Sequence, residues 1–90
     1  MIVDARDGMM ERLLADAGIA AGMRVLDLGC GHGNVAQMIA RRVGDGGRVV
    51  GVDRDPRALA TAREAAAARG FGNVTFVEAD LHLLGALPEA

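Results

Sequence analysis

The stretch VLDLGCGHGNVA, residues 25–36, decides the fold of this chain. An apolar, strand-like segment that contains Asp27 runs into a loop with glycine at every second position from 29 to 33, and a helical pattern begins at Asn34. Glycine loses more backbone entropy on folding than any other residue, so this density of glycine needs a reason. The pattern predicts either a tight turn or a loop whose backbone a ligand approaches closely.

Composition and charge predict a single small domain, residues 1–90, with an aliphatic core. The 90 residues are 51% hydrophobic. They include two phenylalanines, Phe71 and Phe76, and no Trp or Tyr. A net charge of −2 with interspersed signs predicts no basic face for nucleic acid. No apolar run reaches membrane-spanning length, the N-terminus lacks a signal-peptide pattern, and the single Cys30 excludes an intrachain disulfide. These features favour a cytoplasmic protein.

Hydrophobic periodicity and turn residues divide the chain into alternating helices and strands. The predicted helices cover residues 5–17, 34–43 and 56–69, and the predicted strands cover 23–29, 48–53 and 73–80. This alternation predicts an α/β fold of βαβ units, with parallel strands in the order 3-2-1 and right-handed crossovers. Ligands of such sheets bind beyond the carboxyl ends of the strands, which is where the glycine loop falls.

Two helix starts carry capping signals. Asn34, with Gln37 three residues later, predicts a capping box for the helix after the glycine loop. Asp55 followed by Pro56 predicts an N-cap acid with proline at the first helical position of the next helix. Both helices are therefore expected to begin just beyond the strand ends.

Each predicted strand delivers a carboxylate to the same edge of the sheet. Asp27 lies inside the first strand, where an acid is costly unless it meets hydrogen-bond donors or a cation. Asp53 ends the second strand and Asp80 ends the third. A pyrophosphate would be repelled there, whereas a ligand with hydroxyls, an amine and a positive centre would be attracted.

These residues resemble the N-terminal, cofactor-binding half of the class I S-adenosylmethionine-dependent methyltransferases. VLDLGCGHG is similar to the first motif of that family, VVGVDRDP to its second-strand acidic motif, and NVTFVEADL to the segment that ends the third strand. The resemblance covers roughly residues 9–88. It implies a three-layer, Rossmann-like sandwich, S-adenosyl-L-methionine as cofactor, and methyl transfer to an unidentified acceptor in the complete enzyme.

The resemblance also implies which residues contact the methionine and ribose parts of the cofactor. The backbone of the loop would lie against the methionine part, at Gly29, Cys30, Gly31 and Gly33. Asp27 would hold the amino group, directly or through water, and Asp53 would accept hydrogen bonds from both ribose hydroxyls. From the residues alone, each has an alternative: a tight turn for the glycines, a packed loop residue for Cys30, a satisfied strand-end carboxylate for Asp27, and a helix-entry acid for Asp53.

The adenine contacts implied by the resemblance come from the residues after the second and third strands. Asp80 would take the adenine amino group, with Leu81 beside it as a further cofactor-binding residue, although a strand-terminal Asp is also a common turn former. The family commonly has an apolar residue over one adenine face, where this chain has Arg54. Its planar guanidinium would stack on the ring, or point to water.

Two other functions stay open at this point. One is a non-catalytic module that binds S-adenosylmethionine or S-adenosylhomocysteine, or that serves in assembly. The other is an NAD(P)-binding domain, which is disfavoured because Asn34 occupies the third glycine position of the G-x-G-x-x-G pattern. The resemblance implies further strands that supply much of the substrate pocket and that this sequence does not contain, and no candidate base or metal site remains beyond the cofactor-binding set. Because methyl transfer depends on positioning by those walls, we expect no efficient turnover from these residues alone. We also expect the first predicted strand, RVLDL, to be an exposed edge, so that the domain either pairs through it with a second copy or a partner chain or is prone to aggregate.

Overall fold

A computed structural model describes residues 2–4 and 18–80 of the chain. These residues contain four strands and two helices: β1 (Ile2–Asp4), β2 (Arg24–Leu28), α1 (Asn34–Val43), β3 (Arg48–Asp53), α2 (Pro56–Ala68) and β4 (Val74–Glu78). The helix predicted over residues 5–17 and the segment from Leu81 onward lie outside the described residues.

The strands form one parallel sheet in the order β1-β2-β3-β4. The three predicted strands are thus adjacent in the predicted order 3-2-1, and the α/β prediction is confirmed. The register sets Asp27 opposite Gly51 and Asp53 opposite Glu78. Parallel strands all end at one edge, so this register brings the acidic residues together at the carboxyl edge of the sheet.

Side chains of both helices pack on one face of the sheet. Ile39 of α1 and Leu59 of α2 share a buried cluster with Val25, Val49 and Phe76 of the strands. Since successive strand residues alternate between faces, the intervening residues form a second cluster on the opposite face, with Leu26, Leu28 and Val52 at its centre. Both faces of the sheet are therefore buried and apolar, as expected for parallel strands.

The exposed edge predicted for RVLDL is wrong. β1 pairs in parallel with β2, with Ile2 opposite Leu26 and Asp4 opposite Leu28. Ile2 and Val3 are β-branched residues that favour strands, but a run of three residues is too short to show a period. Because β2 is hydrogen-bonded to β1 on one side and to β3 on the other, it offers no free edge for pairing with a second copy or a partner chain.

Of the two predicted helix starts, one is confirmed and one is wrong. Asp55 is the N-cap of α2, and its side chain accepts a hydrogen bond from the Arg57 amide. In α1 the N-cap is Gly33, at φ 86°, and no side chain caps the helix. The predicted capping box fails because Gln37 is turned inward, where its Oε1 accepts a hydrogen bond from Arg69.

Candidate functional site

The loop between β2 and α1 is shaped by three glycines in the left-handed region of backbone space. Gly29, Gly31 and Gly33 have φ values of 71°, 55° and 86°. Residues with a Cβ pay a steric penalty in this conformation, so the alternating glycines follow from the backbone path itself. The loop is therefore a tight turn, and its glycines differ in what surrounds them.

Gly33 is packed, whereas Gly31 faces open space. A Cβ at Gly33 would lie 2.9 Å from the Cβ of Ala62 and 3.1 Å from Cζ of Phe76. The missing side chain thus lets α1 begin in close contact with α2 and β4. A Cβ at Gly31 would meet no atom within 4 Å. Gly31 is therefore where a ligand could approach the backbone of the loop.

Asp53 is held in place by two backbone donors. Its Oδ2 accepts a hydrogen bond of 2.9 Å from the Gly31 amide, and its Oδ1 accepts one of 2.9 Å from the Asp55 amide. A carboxylate has about four acceptor positions, so each oxygen keeps one for another donor. The helix-entry role is filled by Asp55, which leaves Asp53 as an oriented acceptor joined to the glycine loop.

Asp27 is buried directly behind this loop. Its exposed fraction is 0%, and it lies in register with Gly51, which has no side chain to cover it. A buried carboxylate keeps its charge only where donors or cations compensate for lost hydration. Asp27 therefore lies beneath the loop without any solvent-exposed surface.

Cys30 is a packed residue of the loop. It is 5% exposed, and its thiol makes a weak contact of 3.9 Å with the carbonyl oxygen of Gly31. Burial, with smaller contributions from the nearby charges of Asp27 and Asp53, raises the pKa of the Cys30 thiol to about 12. The thiol is protonated at neutral pH and is therefore a poor nucleophile.

The remaining predicted site residues lie at the same edge. Arg54 directly follows β3 and is exposed, and no contact to its guanidinium is found among the described residues. Asp80 is exposed two residues beyond the end of β4. The structure thus brings Asp53, Arg54 and Asp80 to one rim, and it does not cover Leu81.

Two residues of this region were missed by sequence reasoning. Glu78 is exposed at the end of β4 and lies in register with Asp53, which adds a carboxylate to the rim. The signal in the sequence was that Glu78 lies two residues before Asp80 at a strand end, because residues two apart on a strand lie on the same face. Gly51 was missed because its role is tertiary. A Cβ there would lie 2.8 Å from Cδ1 of Phe76 and 3.0 Å from the sulfur of Cys30.

Within the described part of the chain, no three His, Cys, Asp or Glu side chains are grouped so as to hold a metal ion. None of the helices in that part is long and apolar enough to cross a membrane. The rim itself offers carboxylate acceptors, the exposed guanidinium of Arg54 and an open backbone at Gly31, a set of groups that suits a ligand rich in hydroxyl and amino groups.

Comparison with known proteins identifies relatives of this architecture. A family described as a methyltransferase domain matches residues 19–89. The chain is 42% identical over 83 residues to the 23S rRNA (uracil(1939)-C(5))-methyltransferase RlmD of Xylella fastidiosa (strain Temecula1), covering 88% of this chain and 18% of the relative. The structure of TrmN from Thermus thermophilus superposes with a TM-score of 0.81 at 39% identity, covering 90% of this chain and 25% of TrmN.

A second similar structure is described as bound to SAH. Coclaurine N-methyltransferase bound to N-methylheliamine and SAH has a TM-score of 0.74 at 30% identity, with 84% of this chain and 22% of that chain covered. In each comparison the chain spans a quarter or less of the length of the protein it matches. The family match covers most of the chain, and the motifs predicted from the sequence lie within it. The chain belongs to the class I S-adenosylmethionine-dependent methyltransferases.

Proposed function

We propose that the glycine loop and the carboxyl ends of β2, β3 and β4 form the S-adenosylmethionine site. The observation that carries this proposal is the geometry of Asp53. Its two oxygens each accept one backbone N–H at 2.9 Å and each keep an acceptor position. A ribose offers two adjacent hydroxyl donors that match this arrangement. Because the carboxylate is already oriented, binding costs little additional ordering.

The methionine part of the cofactor lies along the loop in this proposal. The backbone of Gly29, Cys30 and Gly31 provides the contact surface, because a Cβ at Gly31 would meet open space. Gly33 contributes indirectly, by allowing α1 to begin close to α2. The charge of the buried Asp27 attracts the amino group and the sulfonium centre from behind the loop.

The adenine part lies at the outer rim. Asp80 accepts a hydrogen bond from the adenine amino group, and Leu81 continues the same surface. The guanidinium of Arg54 stacks on one face of the ring. Its exposure beside Asp53 and its planar, delocalised charge support this role.

When bound, the cofactor supplies an activated methyl group on a positively charged sulfur. The residues of this chain bind it, orient it and fix its ribose. None of the described residues is placed as a general base, so their contribution to the rate is positioning of the donor. We propose that efficient transfer requires further walls that position the acceptor, and that residues 1–90 act as one cofactor-binding domain.

RNA is the acceptor class that we propose for the complete enzyme. The name of the RlmD relative, which is 42% identical, describes an rRNA methyltransferase. The small amine in the coclaurine N-methyltransferase structure represents the competing acceptor class. We also propose a cytoplasmic location, supported by the single buried cysteine.

The proposed site is tested by isothermal titration calorimetry of the chain with S-adenosylhomocysteine. We expect saturable one-site binding that is weakened about 100-fold or more by Asp53→Ala, since two hydrogen bonds to a charged acceptor are lost. The matched control is Asp45→Ala, which removes an exposed carboxylate in the turn between α1 and β3. It should leave the dissociation constant within about twofold, as expected for a distant exposed charge.

Two results would refute the assignment. One is equal binding of S-adenosylhomocysteine by wild type and Asp53→Ala, because this result would show that Asp53 does not contact the ribose. The other is saturable binding of the reduced nicotinamide dinucleotide, followed by its fluorescence, in place of S-adenosylhomocysteine. Tight binding of the cofactor product without any turnover in a longer chain would support the non-catalytic alternative.

A further inference from the structure

Most of the charged side chains that the structure describes lie at one or the other edge of the sheet, and Arg63 and Glu64 lie in the middle of α2. The side chains described at the carboxyl edge are the carboxylates Asp27, Asp53, Asp55, Glu78 and Asp80 and the arginines Arg54 and Arg57. The opposite edge, formed by the amino ends of the strands and the carboxyl ends of the helices, carries five exposed arginines and one carboxylate, Asp45. We call this surface the arginine edge; its members are Arg24, Arg41, Arg42, Arg48 and Arg69. Charges that are interspersed along the sequence are thus sorted by the fold into two regions of opposite sign.

The arginine edge is continuous. Arg24 and Arg48 are register partners on β2 and β3, so they lie on the same face of the sheet. The Gly22 amide donates to the Val43 carbonyl at 2.8 Å, which fastens the end of α1 to the segment before β2. This places the last turn of α1, with Arg41 and Arg42, beside the two strand starts.

Several of these guanidinium groups are held in place without being neutralised. Arg42 donates through Nε to the Ile19 carbonyl at 3.4 Å, and Cζ of Arg41 lies 6.0 Å from the centre of the Phe71 ring. Arg69 donates to the amide oxygen of Gln37. None of these partners is a carboxylate, so the positive charge of each group remains available at the surface.

Local stability explains only part of this arrangement. Arginines in the last turn of a helix interact favourably with the helix dipole, which accounts for Arg41 and Arg42. The register also brings Arg24 and Arg48 side by side at the strand starts, where two neighbouring guanidinium groups can bind one phosphate.

We propose that the arginine edge binds the phosphate backbone of RNA, at the end of the domain opposite the cofactor site. This inference rests on the proposed RNA acceptor and adds where that RNA is held. Guanidinium groups match phosphates in geometry and bind them through paired hydrogen bonds. A protein partner would need an apolar centre to its interface, and Met23, 37% exposed, is the only large exposed hydrophobic residue among the described ones.

The test measures binding of a fluorescein-labelled, 20-nucleotide single-stranded RNA by fluorescence anisotropy. Arg41→Gln/Arg48→Gln is compared with Arg57→Gln/Arg63→Gln, which has the same net charge but removes arginines of α2 that lie outside the arginine edge and have no role in the proposed cofactor site. We expect the first variant to bind about tenfold more weakly and the second to change less than threefold. Removing two phosphate contacts should also make the plot of log K against the logarithm of the salt concentration less steep, by about 1.4 in the magnitude of its negative slope.

Three outcomes would overturn the proposal: equal losses in both variants, no RNA binding by the wild type at low salt, or displacement of RNA by polyglutamate at equal charge concentration. The last would indicate an acidic protein partner. Calorimetry with S-adenosylhomocysteine is run on the same preparations. Unchanged binding of S-adenosylhomocysteine by Arg41→Gln/Arg48→Gln would show that this variant is folded. No binding of S-adenosylhomocysteine by the wild type would refute the proposed function, independently of the result for RNA.

Discussion

The two edges of the sheet are built on different principles. At the carboxyl edge, charged groups are fixed by the backbone: Asp53 accepts from two amides, and the loop that supplies one of them depends on glycines at positive φ. At the amino edge, exposed arginines project from ordinary helix and strand positions. Substitutions at the first edge should therefore affect folding as well as binding, whereas most substitutions at the second should affect binding alone.

The largest expected effect concerns the titration of Cys30 at the carboxyl edge. Burial raises the pKa of its thiol from 9.0 to about 12. The folded state therefore holds this proton more tightly than the unfolded state. The resulting stability is fully present below pH 9 and is lost as the pH rises from 9 to 12, by about 1.4 kcal/mol for each pH unit at most.

This loss can be measured by urea unfolding between pH 8 and 11. The chain contains no lysine and no tyrosine, so no other side chain has its ordinary pKa in this range. Cys30→Ala should flatten the dependence of the free energy of unfolding on pH. The same slope in wild type and Cys30→Ala would show that the buried thiol does not couple to folding.

Gly33→Ala tests whether the packed side of the loop limits stability. The residue has φ 86°, and a Cβ would lie 2.9 Å from Ala62 and 3.1 Å from Phe76. Conformational strain and overpacking together should cost about 3 kcal/mol in the free energy of unfolding.

Gly31→Ala is the matched control for this variant. It has a positive φ but open space, so strain alone should cost about 1 kcal/mol. In urea unfolding, equal losses in the two variants would contradict the distinction between a packed and an open glycine. Gly31→Ala should nevertheless weaken binding of S-adenosylhomocysteine, because the added methyl group points into the proposed ligand space.

Asn73 is an exception to the contrast between the edges, because it lies at the amino edge and should nevertheless contribute to stability. It lies at the amino edge, yet its side-chain amide donates to the carbonyls of Ala40 and Gly44 at 2.9 Å each, fastening the end of α1 to the start of β4. Asn73→Ala should lower the free energy of unfolding by about 2 kcal/mol, because two hydrogen bonds are lost. Asn34→Ala, an exposed asparagine at the start of α1, serves as the control in thermal unfolding and should change stability little. A negligible effect of Asn73→Ala would mean that water replaces both hydrogen bonds.

The smallest expected effect is that of Arg48→Gln on stability. Arg48 is exposed, and its like-charged register partner is Arg24. Removing one of two like charges should change the free energy of unfolding by no more than about 0.5 kcal/mol, in the stabilising direction if at all. A loss of more than about 1 kcal/mol in urea unfolding would exceed this range and show that Arg48 is a structural residue.

The sequence by itself determined the path of the chain from Arg24 to Glu78. Alternating apolar strands and amphipathic helices carry this information locally, and the parallel order follows because short connections place each strand beside the last. The carboxylates at the strand ends were predictable for the same reason, since strand direction alone brings Asp53 and Asp80 to one edge. The N-cap at Asp55 was also predictable, because an acid followed by proline is a local signal.

Only the tertiary structure decided which further strand joins the sheet and which atoms surround each residue. β1 could not be found in the sequence, because three residues show no period and its stability comes from pairing with β2. The different surroundings of Gly31 and Gly33 depend on where Ala62 and Phe76 arrive from distant parts of the chain. The sorting of charge into an acidic and a basic edge likewise arises only when parallel strands and antiparallel helices align their ends, because Arg24 and Asp27, like Arg48 and Asp53, are close in sequence but lie toward opposite ends of their strands.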